Sequence, residues 1–170
     1  MSDKKLNVID ANVLIDFLDT EENLLHLYSK HISTLVTPEQ VFDEVKQLSE
    51  SKSEQLLIQI PTATDEQVNK ALDLYLTNRR NTFPDYLCYI FARDLQSPLI
   101  TNDTRLSKYC SLEGIEVIRG LRVILILFEN SLLDEKNSMK YAKEMIESNK
   151  WLKEILFDEF VIELGKLSDK

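Results

Sequence analysis

The 170-residue sequence predicts an α/β fold, a three-layer α/β/α sandwich built on a mainly parallel central sheet. Short apolar runs of strand character alternate with longer segments of helical periodicity, and parallel neighbours need helical crossovers between them. With only 3 Gly and 4 Pro, the chain lacks the turn formers of a many-stranded all-β architecture. Its 44% apolar and 29% charged residues set aside low-complexity and broadly disordered classes, and its length suits one ordinary core.

The first strand is Leu6-Asn7-Val8-Ile9, an apolar run stopped by Asp10 as a buried central strand is stopped by a polar loop. Val13, Leu14, Phe17 and Leu18 recur at helical spacing, Asp19 to Glu22 break that helix, and Leu24, Leu25, Leu27, Tyr28 and Ile32 mark a second one. Residues 34–37, three of them β-branched, have strand character, and Thr37-Pro38-Glu39 supplies an N-cap, a Pro at the first helical position and an acidic first turn, predicting a helix over 38–48. A strand follows over 56–60, closed by Pro61, and then a helix from Thr64 with Val68, Ala71, Leu72 and Tyr75 on one face.

After the basic polar loop 78–81, Phe83-Pro84-Asp85 opens a helix whose broad apolar face includes Cys88, and residues 98–101 form the next strand. Asn102-Asp103 starts another helix, Gly114 ends it, residues 115–118 read as a strand, and residues 120–133 as a strongly apolar helix. Beyond Asp134 the pattern changes to helical spacing alone, through Met139, Ala142, Met145 and Ile146 and on to Trp151, Leu152, Ile155, Leu156, Val161 and Leu164. The chain therefore divides into an α/β domain over 1–133 and an α-helical extension over 134–170, packed on the domain or on a partner.

Twenty Lys and Arg against 29 Asp and Glu leave a formal charge of −9, which removes the electrostatic case for a nonspecific nucleic-acid binder. A carboxylate cluster that holds divalent cations is compatible with this acidity, because bound metal inverts the local sign. Two cysteines and an opening without an apolar signal region predict a reducing, cytoplasmic setting, and the longest apolar stretch, 123–128, is far too short to cross a bilayer.

Functional sites of open parallel sheets lie beyond the carboxyl ends of the strands. Asp10 follows the first strand, Asp103 follows the strand ending at Thr101, and Asp85 starts the helix that feeds that strand. Each also fits a helix start, where Asp accepts backbone N–H bonds. Glu44 lies inside the helix predicted over 38–48, where no cap is needed. Four acids at one sheet edge repel one another unless cations neutralise them, and Mg²⁺ favours carboxylate and water oxygens in a shallow site. The chain has no Gly-rich phosphate loop, no Ser-His-Asp arrangement and no CxxC pair. Asp16 and Asp94 are expected to face solvent, Cys88 to join the core, and His26 and His31 to be ordinary surface residues.

Four stretches carry a family resemblance: Val8-Ile9-Asp10-Ala11-Asn12-Val13-Leu14-Ile15, then Glu44, then Asp85 within Phe-Pro-Asp-Tyr-Leu-Cys-Tyr-Ile-Phe-Ala, then Leu99-Ile100-Thr101-Asn102-Asp103-Thr104-Arg105-Leu106. Together they resemble the PIN-domain ribonucleases, including VapC-type toxins, over about residues 6 to 130. The resemblance implies that Asp10, Glu44, Asp85 and Asp103 are the family's acidic quartet, binding Mg²⁺ or Mn²⁺ for RNA cleavage, with Asn12, Thr101 and Asn102 as supporting polar groups. It further implies an antitoxin partner and a homodimer; the apolar Trp151, Leu152, Phe157 and Phe160 suit such an interface or, equally, the monomer's own core. Arg79, Arg80, Arg105 and Lys108 flank Asp85 and Asp103 as candidate contacts to substrate phosphates.

Two other readings compete. A catalytically silent PIN-like binding or assembly module would keep the fold without needing the acids. A phosphorylation-dependent receiver domain would want a paired acid after the first strand and a Lys after the last, where this chain has Ala11-Asn12 and Arg119.

Overall fold

Strand β1 (Leu6–Ile9) is the middle of a five-stranded, all-parallel sheet of order β3-β2-β1-β4-β5. The computed structural model describes residues 5–150 and 152–169, so Trp151 lies outside the described residues. From β1 the chain passes through α1 (Ala11–Thr20) and α2 (Asn23–His31) to β2 (Thr34–Val36), then through α3 (Glu39–Phe42) and α4 (Glu50–Gln55) to β3 (Ile58–Gln59). It returns through α5 (Asp65–Thr77) and α6 (Phe83–Asp94) to β4 (Leu99–Ile100), on the other side of β1, and continues through α7 (Thr104–Leu112) to β5 (Val117–Ile118) and α8 (Gly120–Glu129). The predicted α/β/α sandwich is the observed fold, and the order of winding reverses between β1 and β4.

Burial explains the layering. Val8 and Ile9 of β1 and Leu99 and Ile100 of β4 are wholly or almost wholly enclosed, as strands covered on both faces require. The helix α6 is buried at every position from Tyr86 to Ala92, held at its start by a capping box between Thr82 and Asp85. Two further helices, α9 (Glu135–Ser148) and α10 (Glu154–Ser168), pack on α1 and α8, and Ala142, Met145, Phe160 and Leu164 join the common core. Of the apolar C-terminal residues that the sequence leaves open between an interface and the core, Phe160 is interior, while Leu152 and Phe157 are half-buried against the same core.

The region between β2 and β3 departs from expectation. The helix expected over 38–48 stops at Phe42, and Glu44, Val45 and Leu48 each donate their N–H three residues back, to Val41, Phe42 and Val45. The helix start read at Thr37-Pro38-Glu39 is real, but Val41, Val45 and Leu48 are buried through a short helix followed by tight turns. Glu44 therefore sits in an exposed turn and not inside a helix. The polar segment Glu50–Gln55 is helical, capped by the Ser49 side chain accepting from the Lys52 N–H, and it shortens the strand expected over 56–60 because Leu57 takes a left-handed φ of 58°. Similarly α8 ends at Glu129, ahead of Ser131 at φ 56°.

Candidate active site

The reversal of winding between β1 and β4 opens a crevice at their carboxyl ends, the position where open α/β sheets bind ligands. Register brings Ile9 beside Ile100, and the Asp10 N–H donates to the Ile100 carbonyl at 3.0 Å, so Asp10 and Thr101 leave the sheet side by side. The Asp10 carboxylate then accepts from four donors. The Ala11 N–H reaches Oδ1 at 2.7 Å, the Asn12 amide and the Thr101 hydroxyl reach Oδ2 at 2.8 and 2.9 Å, and the Cys88 thiol stands 3.9 Å from Oδ1. Cys88 is in the core, as expected, but its thiol faces the site.

Asp103 caps α7, its Oδ1 accepting from the Leu106 N–H at 2.7 Å, and its own N–H donates to the Thr101 hydroxyl at 3.1 Å. Asp85, in the first turn of α6, accepts from the Thr82 N–H at 2.7 Å. The backbone N–H bonds at the starts of three helices fix these carboxylates in position.

Electrostatics show which acids share a site. Asp10 is 4% exposed, and burial first, then repulsion from Asp85 and more weakly from Asp103, pushes its carboxyl up to about 7 against the bonds from Thr101 and Ala11. Asp85 is raised by burial and by Asp103, and Glu44 by burial and by Asp85. Asp10, Asp85 and Asp103 thus repel one another, and Glu44, exposed in its turn, is repelled by Asp85 alone among them. Burial and the charges of Asp10 and Asp85 likewise raise the Cys88 thiol well above its ordinary value, which makes it a poor nucleophile.

The supporting polar residues form one connected network. The Asn12 amide also approaches the Thr101 hydroxyl at 3.4 Å, and the Asn12 Oδ1 accepts from the Asn102 N–H at 3.1 Å. Asn102 turns its side chain the other way, accepting from the Gly120 N–H at 2.9 Å and donating to Asp16 Oδ2 at 2.7 Å. Asp16 corrects the sequence reading, which turned it to solvent. It is buried, its second oxygen accepts from the Asn149 amide at 2.6 Å, and burial raises its carboxyl despite these bonds. No sequence signal links residue 16 to residue 149, because the pairing exists only once α9 lies against α1. Gly120 is needed for the same network, since a Cβ there would stand 2.9 Å from the Asn102 amide nitrogen. Arg119, also missed, donates to the Asp103 carbonyl at 3.4 Å and is half-buried. Asp94 is exposed, as expected.

Of the candidate phosphate contacts, Arg80, Arg105 and Lys108 line a common cavity, whereas the Arg79 guanidinium lies over the Tyr75 ring, 5.8 Å from its centre.

The donor set is made of carboxylate oxygens. Among the described residues no three His, Cys, Asp or Glu side chains come together as a ready metal cage. Mg²⁺ and Mn²⁺ do not need one, because Mg²⁺ keeps several waters and is held through one or two carboxylates, and Mn²⁺ suits the same oxygen donors. A buried Asp10 carboxyl pushed to about 7 and crowded by two further acids has no ion-pair partner among the described residues and fits such a hydrated cation.

A family model described as a PIN domain (DUF3368) matches residues 6–166. The chain belongs to the PIN-domain family. The match runs from β1 through nearly all of α10, so it takes in the C-terminal helices as well as the sheet. PIN domains are in general nucleases and use divalent metals. None of the curated proteins matches the chain. Among the described residues of this PIN domain, no helix is long and apolar enough to cross a membrane.

Proposed function

We propose that this PIN domain is a divalent-metal-dependent endoribonuclease that hydrolyses RNA phosphodiester bonds, with Asp10, Asp85, Asp103 and Glu44 holding Mg²⁺ or Mn²⁺. The observation that supports this most strongly is the buried Asp10 at the reversal point of the sheet, its carboxyl raised to about 7 by burial and two acidic neighbours. When bound, the metal supplies an activated water and charge stabilisation for the leaving 3′-oxygen.

This chain's residues do the positioning. Thr101 and Asn12 hold the second Asp10 oxygen, and the Ala11 N–H holds the first, so the carboxylate is oriented before anything binds. Asp103 and Asp85 are fixed by the helices they cap, and Glu44 closes the rim from its turn. Asn102, anchored by Asp16 and Gly120, keeps Asn12 facing Asp10. Residues 1–133 carry every one of these acids, and residues 134–170 brace them through Asn149.

We further propose that the protein acts in the cytoplasm as the toxin of a prokaryotic toxin–antitoxin pair. A cognate antitoxin would present a cationic segment to the acidic edge, in keeping with the net charge of −9. Asp10→Asn, Asp85→Asn and Asp103→Asn should each lower metal-dependent RNA cleavage by orders of magnitude while leaving the circular dichroism spectrum unchanged. Normal cleavage by all three variants would refute the assignment.

A further inference from the structure

In a chain of net charge −9, one cavity of about 380 Å³ has Arg80, Asn81, Arg105, Lys108, Tyr109 and Leu112 on its walls and no Asp or Glu among its lining residues. Its volume falls within the range of small-ligand pockets, roughly 300–1,000 Å³. The cavity lies between two segments that lead to the acids: the turn bearing Arg80 and Asn81 runs into Thr82 and Asp85, and α7, which carries Arg105 and Lys108, begins at Asp103.

A further observation gives the cavity a chemical character beyond positive charge: Leu112 is 77% exposed beside Tyr109, whose ring is held edge-on by Tyr86 and Tyr89 at 5.4 and 5.0 Å between centres. Cations without acids suit a phosphate, and a rigid aromatic edge with an exposed aliphatic side chain suits the face of a base.

We infer that this cavity is a nucleotide subsite for single-stranded RNA, with Arg80, Arg105 and Lys108 on a backbone phosphate and Tyr109 and Leu112 against the adjoining base. The subsite rests on the ribonuclease reading and extends it: the strand is held by a patch next to the carboxylates and independent of metal. Recognition of a single strand follows from the need to reach a base face, which a duplex keeps stacked. Arg79 takes no part, its guanidinium being placed over Tyr75.

The test is fluorescence anisotropy of a labelled oligouridylate of about ten nucleotides, within the span such sites cover. It uses the full chain, with chelator present so that nothing is cleaved. Affinity is followed from about 50 mM salt upward, and each phosphate contact on a single strand contributes about 0.7 to the slope of log K against log salt. Arg105→Ala and Lys108→Ala should each lower that slope by about 0.7. Leu112→Ser should weaken binding severalfold at unchanged slope, and Lys143→Ala on α9 should change neither. Absence of binding at low salt, slopes unchanged in the cationic variants, or equal competition by an oligoglutamate of matched charge would each overturn the subsite. Asp103→Asn separates the two readings: lost cleavage with binding retained supports both, whereas undiminished cleavage defeats the nuclease assignment and leaves the subsite to the binding data.

Discussion

Replacing Asp10 by Asn should change how stability depends on pH, by an amount that follows from its surroundings. In the folded chain burial and the neighbouring acids raise its carboxyl from 3.8 to about 7. Between these two values the native state keeps a proton that the unfolded chain has released, so stability falls as pH rises. The contribution is complete below about pH 4 and lost above about pH 7, and a shift of about 3 units amounts to about 4 kcal/mol. Asn carries no such titration, but its NH₂ must face either the Ala11 N–H or the donors Asn12 and Thr101, a cost of about 1–3 kcal/mol at every pH. Asp16, Glu44 and Asp85 are raised too and Asp94 is lowered, and all four are present in both chains, so the difference between variant and wild type isolates Asp10 and its coupling. Urea unfolding from pH 4 to pH 8 in chelator should show the variant less stable at the acid end and more stable above pH 7, with the difference moving by about 4 kcal/mol. A difference that stays constant across this range would refute the account of Asp10 as a buried, repelled carboxyl.

Divalent cation should reverse that penalty: Mn²⁺ at about a hundred times its Kd should stabilise the wild type by about 2.7 kcal/mol, read as a rise in Tm, and should do little for Asp103→Asn. Asp16→Ala leaves the Asn102 and Asn149 amides without their acceptor and should cost about 2–3 kcal/mol by chemical denaturation while reducing cleavage; wild-type values for both would make the network incidental. Gly120→Ala pushes a methyl group into the Asn102 amide and disturbs its bonds with Asp16 and the Gly120 N–H, so cleavage and Tm should both fall, and an unaffected rate would show that Asn102 need not be held where it is. Glu44→Gln, on the exposed rim, should lower the cleavage rate less than Asp85→Asn does, and an equal loss would place Glu44 at the centre.

The parts of this structure that could be read from sequence are those whose signals are local. An apolar run stopped by Asp10, the Phe83-Pro84-Asp85 opening of an apolar helix, and Asp103 after a buried strand each combine a burial pattern with a helix start inside a few residues. Those signals also positioned three of the four acids, because strand ends and helix starts meet at one edge of a parallel sheet. The segment after β2 misled because Thr37-Pro38-Glu39 marks where a helix starts and not how far it runs: it ends at Phe42, and Val45 and Leu48 are buried through turns. The helix α4 left no apolar period to detect, its sequence being Glu-Ser-Lys-Ser-Glu-Gln. Asp16 was illegible for a different reason: its partners Asn102 and Asn149 lie 86 and 133 residues away, and its burial depends on where α9 packs.

The central claim is that the carboxylates around Asp10 cleave RNA with a divalent cation. Its most direct test is incubation of the purified chain and of Asp103→Asn with a mixed panel of single-stranded and structured RNAs, in Mn²⁺, in Mg²⁺ and in chelator. The wild type should cleave internally with metal and not with chelator, and the variant should not cleave under any condition. Cleavage that persists in chelator or in Asp103→Asn, or a wild type that neither cuts RNA nor binds Mn²⁺ by calorimetry, would contradict it.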